Sequence, residues 1–346
     1  MPGTYLNFPF DEELFYMLWQ TVPDTTLTAL FDSGAVQENA TIRQLISQGS
    51  DVYTFPFYNL IGGTPENYDG ATNITMDDTS GTSQSGIVFG RAHGWKGQDF
   101  VVDFNSGANP MQQIASQVAK YWHKQRQSIL LKTLSGVFGT TDNTGGYQDK
   151  WKQHTLNLAL KTSGTPSAEN KMGATTVGDA IQQAVGDNMD IFSLAIMHSK
   201  VATNLAGLQL LTFRKYTDSM GIERQLKIAD FNGLTVIIDD GVPAVQNSTS
   251  KAMDYTTYLF GTGAIQHAAA PVKTPVETHR EPLEKGGYDA LITRLRETLH
   301  PNGFTFKVPS ASYTHSPTDD QLAAAANWII AADPKSIAMA QIITNG

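Results

Sequence analysis

The chain has 346 residues, enough for one large or two modest domains with a sizeable buried core. It contains no cysteine, which excludes a disulfide framework, a thiolate metal site and a thiol nucleophile. A formal net charge of −9, without any Lys/Arg-rich tail, argues against a protein that grips nucleic acid through a broad basic face.

The N-terminus, Met1-Pro2-Gly3-Thr4-Tyr5-Leu6 followed by Asp11-Glu12-Glu13, lacks the basic-then-apolar order of a signal peptide. No apolar run approaches the ~20 residues needed to span a bilayer. Only 16% of residues are charged, while Gly, Thr, Asn and Gln are plentiful. So neutral a surface suits a subunit covered by its neighbours, or a loop-rich extracellular β protein. Residues 1–50 mix aromatics with turn residues: Tyr5, Phe8, Phe10, Phe15, Trp19 and Pro23. Residues 11–20 predict a short helix with Leu14, Met17 and Leu18 inward, and Asp24-Thr25-Thr26 caps a second that ends at Gly34. A short, broken leader cannot bury that many large apolar groups within itself. It either lies across a neighbouring subunit or folds back on its own core.

Val52-Tyr53-Thr54-Phe55-Pro56-Phe57-Tyr58 alternates at period two, as a strand does, and Pro56 places it at an edge or bulge. A long polar stretch with Gly62-Gly63, Tyr68, Asp69-Gly70 and residues 72–85 follows, before Ile87-Val88-Phe89 resumes an extended run. Two strands with a long polar tip make a projecting hairpin, which must rest on something else to be stable.

Residues 109–139 form the most strongly patterned segment. Asn109 is a good N-cap and Pro110 fits the first helical position. Met111, Ile114, Ala115, Val118, Ala119, Trp122, Ile129, Thr133 and Val137 fall at three- and four-residue steps, one stripe of a long amphipathic helix. At ~1.5 Å per residue the rod is ~40 Å long, and Gly136 and Gly139 are expected to end it.

Residues 140–173 read as loop-rich. Thr176-Val177-Gly178-Asp179 opens a helix, residues 191–197 a buried strand, and His198-Ser199 another helix with Val201, Leu205, Leu208 and Leu211 on one face. Residues 234–240 are a second buried strand, so this part reads as a compact α/β lobe. Residues 255–260 are extended. Leu291, Leu295 and Leu299 fit a helix face or alternate strand positions equally well. Pro301-Asn302-Gly303 marks a turn before the strand Phe304-Thr305-Phe306. Residues 319–330 give a short helix and residues 337–343 a last strand.

Motifs for chemistry are missing. There is no Gly-x-x-x-x-Gly-Lys loop, no His-Glu-x-x-His, and no zinc-like spacing among the eight histidines. The acid pairs Asp77-Asp78, Asp239-Asp240 and Asp319-Asp320 sit where loops or helix starts favour Asp. Residues 103–107 echo a calcium loop but lack its distal Glu. The sequons at Asn39, Asn73 and Asn247 carry no weight without a secretory signal. No catalytic, cofactor or metal residue is assigned, and the chain is read as a non-enzyme.

One order of segments is specific. Gly90-Arg91-Ala92-His93-Gly94-Trp95-Lys96, a short loop and Asn109-Pro110 lead into the long helix, which carries Tyr121-Trp122. The chain end holds Ala326-Asn327-Trp328, Asp333-Pro334-Lys335 and Ile342-Ile343-Thr344-Asn345-Gly346. From about Ala29 to the C-terminus this resembles the major capsid proteins of tailed bacteriophages that share the HK97 fold. The resemblance implies an α+β fold with an N-terminal arm (residues 1–50), an extended E-loop hairpin (51–93) and a peripheral domain (94–175) whose spine helix covers 110–138. An axial domain (176–285), strands returning to the peripheral domain (286–312), and a C-terminal helix and strand returning to the axial one (313–346) complete it. Subunit contacts are expected at Phe8, Phe10, Phe15, Tyr53, Phe55, Phe57, Tyr58, Tyr68, Arg91 and Trp95.

The implied function is a structural subunit that assembles into hexamers and pentamers of an icosahedral or prolate shell around double-stranded DNA. The implied location is the virion capsid, assembled in the host bacterial cytoplasm. The implied partners are other copies of the chain, a scaffolding protein, a portal protein at one vertex, DNA held non-specifically on the inner face, and decoration proteins, with no membrane. No long charged leader is present to act as an internal scaffold, so a separate one is expected. The segment 53–91 has no Lys, so no Lys–Asn cross-link from the E-loop is expected. Two other readings remain: an encapsulin-like compartment around an enzyme cargo, and a loop-rich secreted hydrolase or adhesin.

Overall fold

A computed structural model describes residues 3–5, 8–21, 33–58, 64–74, 76, 81–98, 111–186, 191–217, 223–284, 286–309 and 313–346. The helix Met111–Phe138 is its axis, and at 28 residues it is ~42 Å long. The proposed cap Asn109-Pro110 lies outside the described residues. Ala115, Val118, Ala119, Trp122, Ile129, Thr133 and Val137 of the apolar stripe are all buried. So are Leu130, Leu131 and Leu134, because the second half of the helix is enclosed from more than one side.

Gly136 does not end the helix; it lies inside it. A Cβ there would stand 2.3 Å from the Leu322 carbonyl oxygen and 2.7 Å from Trp328 Nε1, so the glycine is a close-approach site rather than a stop.

Two sheets flank the helix. The first is built around the long strand Tyr288–Pro301, the segment whose leucine spacing left helix and strand open. One edge pairs antiparallel with Phe89–Gln98; the other pairs with Val276–Glu281 and then Ile265–Ala269. Val36–Glu38 joins Ile265–Ala269 in parallel. Buried positions alternate along the first half of the strand at Asp289, Leu291 and Thr293, and from Glu297 to Pro301 every residue is buried.

The second sheet has eight strands. At its centre Phe192–Met197 and Leu234–Ile238 run parallel, the α/β arrangement expected from sequence. Met253–Gly261 and Met339–Thr344 extend it antiparallel, and Thr155–Asn157 closes that edge. Strands Thr212–Thr217 and Glu223–Phe231, which the sequence reading passed over, extend the other edge. Leu194, Ile196, Ile237, Tyr258 and Phe260 face the core shared with the long helix. Their neighbours Ala195, Met197, Val236 and Leu259 face helices Thr176–Val185 and Ser199–Gly207. Burial on both faces is why these strands read as unbroken apolar runs. The second helix ends at Gly207, so Leu208 is 55% exposed rather than on the buried face.

Phe304–Phe306 pairs with Trp328–Ile330, not back onto the long strand, so the turn at 301–303 does not close a hairpin. The expected C-terminal helix is only Asp319–Ala323 before the chain turns extended.

Candidate assembly elements

The N-terminal helix Glu12–Thr21 starts from Asp11, whose carboxylate accepts from the Glu13 and Leu14 amides at 3.0 and 3.1 Å. Its inward face corrects the expected one. Phe15 is fully buried against Ala115, Val118, Trp122, Val276 and Leu291, with Leu18 and Trp19 beside it. Leu14 and Met17 are instead 47% and 59% exposed. The Glu12 carboxylate also accepts from the Thr278 amide and hydroxyl, both at 2.9 Å. This part of the leader thus folds back on its own chain, and Phe15 is not available to a neighbour. The helix expected near 24–34 lies mostly outside the described residues. For Phe8 and Phe10 only the backbone is described, in a small antiparallel pair of Gly3–Tyr5 with Phe8–Phe10.

The projecting ribbon forms as expected from Val52–Tyr58 and Gly81–Ile87. Its base is fastened to residues 298–305. The Tyr53 hydroxyl lies 2.7 Å from Thr298 Oγ1, which donates to the Ile87 carbonyl at 2.8 Å. Gln84 donates to Asn302 Oδ1 and accepts from the Gly303 amide, both at 2.7 Å. The Ser85 amide donates to Thr305 Oγ1 at 3.2 Å. Phe55 stacks on Tyr53, and both rings meet His300 edge-on. Burial raises the Tyr53 pKa far above that of an ordinary phenol and lowers that of His300 to about 4. Tyr53, only 3% exposed, is therefore an anchor within its own chain, not a subunit contact. The side chains of Phe57 and Tyr58 lie outside the described residues, as do Asp77 and Asp78.

Between the ribbon's two strands one carboxylate holds residues 67–72 in a turn. Asp69 accepts from the Ala71 amide (2.8 Å), the Thr72 amide (2.7 Å), the Thr72 hydroxyl (2.9 Å) and the Asn67 side-chain amide (3.1 Å). Those backbone donors pull its pKa down to about 2. Around this turn Tyr68, Ile74 and Met76 stand 93%, 75% and 94% exposed. These three apolar side chains stand in solvent beside a turn that is held by its own hydrogen bonds.

Arg91 and Trp95 serve the chain's own fold. The Arg91 guanidinium donates to Asp319 (3.2 Å from Nε) and to the Gly90 carbonyl (2.9 Å). Trp95 meets His93 and Tyr121 edge-on, at 4.9 and 5.2 Å between centroids. Trp122 Nε1 donates to Thr293 Oγ1 at 3.0 Å, fixing helix to sheet.

The sequence reading missed a buried ion pair below. Arg126 Nε donates to both Glu297 oxygens at 3.0 and 2.9 Å, with His267 Nε2 3.5 Å from one of them. Burial works to raise the Glu297 pKa, but His267 and the Arg126 charge outweigh it and hold the carboxyl below its ordinary value. No signal in the sequence marks Glu297 except its inward register on the strand.

Asp239 caps its own turn, accepting from the Gly241 amide at 2.8 Å, and contacts the Gln127 amide; Asp240 accepts from the Ser199 amide at 3.1 Å. Asp319 pairs with Arg91 at its helix start. These carboxylates have structural work. Among the described residues no group of three or more His, Asp or Glu is placed to hold a metal ion, and no helix is long and apolar enough to cross a membrane.

No family model matches the chain. In sequence it is 28% identical to the major capsid protein of Bacillus phage SPP1 over 319 residues, 92% of this chain and 91% of that one. In structure it is similar to the capsid of Ralstonia phage GP4, with a TM-score of 0.58 and 10% identity over 91% of this chain and 88% of that chain. It is also similar to the capsid of cyanophage Pam1, with a TM-score of 0.52 and 12% identity over 86% of this chain and 85% of that chain.

Proposed function

We infer that this chain, which carries the HK97-type capsid fold, is the major capsid protein of a tailed bacteriophage and forms the shell of the virion head. The observation that carries this is the end-to-end sequence match to a phage major capsid protein, spanning nine-tenths of both chains. That relative favours a DNA-filled head over an enzyme-filled compartment.

Several finer assignments follow from this reading. Residues 1–50 are the arm, 51–93 the E-loop, and the helix Met111–Phe138 the spine of the peripheral domain (94–175). The eight-stranded sheet and its helices form the axial domain, whose loops meet around the centres of hexamers and pentamers; of residues 176–285 it takes the part up to Gly261, with Thr155–Asn157 and Met339–Thr344 added, while Ile265–Ala269 and Val276–Glu281 lie in the first sheet. Residues 286–312 return to the peripheral domain and 313–346 end in the axial sheet. A scaffolding protein, a portal protein, decoration proteins and non-specifically held DNA are the partners, and assembly takes place in the host cytoplasm. The ribbon is the reaching element: its base is fixed at home, and Tyr68, Ile74 and Met76 lie on an adjacent subunit. At roughly 25 cal/mol per Å² of apolar area each such contact is modest, but every subunit makes several, so a closed shell is stable.

The test is a variant carrying Tyr68→Ser, Ile74→Ser and Met76→Ser, co-expressed with the cognate scaffolding protein. It should keep the wild-type melting temperature yet fail to form shells. Wild-type shell yield from this variant would overturn the role given to the tip.

A further inference from the structure

We propose that the solvent face of the helix Met111–Phe138 is the surface on which the shell holds the phosphate backbone of its packaged double-stranded DNA. This rests on the capsid reading above and names the residues that such a role would use.

The helix is basic along its length. An even spread of 33 acidic residues over 346 positions would put two or three in a 28-residue segment; this one has none. Its charged residues are Lys120, Lys124, Arg126 and Lys132. Arg126 turns inward to Glu297. Lys120, Lys124 and Lys132 are exposed, as are Gln117 and Ser135, with Ser128 half-buried between them. Among the described residues none of the three lysines forms an ion pair. Residues 120, 124, 128, 132 and 135 follow at steps of four, four, four and three, which keeps them on one side of the helix. From 120 to 132 the stripe runs ~18 Å, the span of about five phosphates along one strand of duplex DNA. Lysine, serine and glutamine are the side chains that hold phosphates without reading bases.

Two carboxylates border the stripe across a groove of ~910 Å³, lined by Lys124, Lys132, Asp239 and Asp240 among others. Both already accept protein hydrogen bonds, Asp239 from Gly241 and Asp240 from Ser199. They mark the edge of the surface. Three cations per subunit give weak, salt-sensitive attraction, yet a shell repeats them many times. A chain of net charge −9 can therefore hold a genome without a basic tail.

The experiment uses DNA-filled heads and emptied shells of the wild-type chain. Lysines are labelled with a small amine-reactive reagent and mapped by mass spectrometry, and filled heads are cross-linked with formaldehyde to find nucleotide adducts. The expected result is adducts on peptides carrying Lys120, Lys124 and Lys132, and labelling severalfold slower in filled heads than in emptied ones. A Lys120→Gln, Lys124→Gln, Lys132→Gln variant should assemble normal shells, lose those adducts and release its DNA at lower temperature. Equal labelling in filled and emptied heads would overturn the proposal. So would equal protection in both, or a variant that cannot assemble, since either would mean that another copy of the chain or an acidic scaffold segment covers the stripe. A wild-type chain that forms no shell at all would remove the capsid reading itself.

Discussion

The ring of Tyr53 lies across Gly86, its partner on the opposite strand of the ribbon, so closely that a Cβ at residue 86 would stand 2.3 Å from the ring. The ring can cross only because residue 86 has no side chain, and crossing brings its hydroxyl to Thr298. Gly86→Ala should expel the ring and destabilise the protein by about 1–3 kcal/mol, as overpacking does. Tyr53→Phe keeps the packing and should lose only about 1 kcal/mol for its hydrogen bond. Denaturant unfolding measures both; a Gly86→Ala protein as stable as wild type would refute this account of the ribbon's base.

Gly136 offers a test with an inverted sign. In an ordinary helix interior Gly→Ala stabilises by up to about 1 kcal/mol. Here the new methyl would meet the Leu322 carbonyl and the Trp328 indole, which are themselves joined at 2.8 Å. Gly136→Ala should lower the melting temperature. A rise would show that the C-terminal segment does not rest on the helix at this point.

The buried ion pair predicts non-additivity. Glu297→Gln removes the charge that faces Arg126 where the Glu297 side chain is only 4% exposed, and should cost about 3–5 kcal/mol. Adding Arg126→Met should return much of that loss, because no cation is then left facing a neutral amide. A double-mutant cycle with no coupling would contradict the geometry.

Acid sensitivity follows from two buried histidines. His154 stacks on Trp151 and contacts the Met339 carbonyl at 2.7 Å; His300 lies beneath the ribbon. Burial lowers both pKa values from 6.5 to about 4. Unfolded chains therefore take up these protons first as pH falls. Stability should be full above about pH 6.5 and decline towards pH 4, by about 1.4 kcal/mol per pH unit for each histidine. Melting curves from pH 7.5 to 4.5 should show this slope, and His154→Gln with His300→Asn should flatten it. An unchanged slope in that variant would assign the acid sensitivity to other groups.

The long helix, the ribbon and the central strands were legible because each has a period that survives in the sequence: Trp122, Ile129 and Val137 on a helical stripe, Tyr53 and Phe55 alternating, and apolar runs at 192–197 and 234–238. The leader misled because Leu14 and Met17 look like core residues, whereas Phe15, one position away, is the one that meets Trp122 and Leu291. Residues 290–299 stayed ambiguous because the inward positions Thr293 and Glu297 are polar, and the Trp122 and Arg126 side chains that pair with them come from a distant helix. Gly136 read as a stop because its reason, the Leu322 carbonyl, lies far along the chain. Arg91, Trp95 and Tyr53 have partners within the chain, Asp319, Tyr121 and Thr298, that lie too far along the sequence to be read from it. The display at the ribbon tip, by contrast, depends on Asp69 holding its own neighbours Ala71 and Thr72, a local pattern that could have been sought in the Tyr68-Asp69-Gly70 turn.

On the capsid reading, this polypeptide is completed by copies of itself. Electron microscopy of the purified chain, produced with its scaffolding protein, tests it most directly. The account predicts closed shells whose surface resolves into hexamers and pentamers, with the ribbon tip of each subunit resting on its neighbour. A uniform population of single ~38 kDa chains under the same conditions would contradict it.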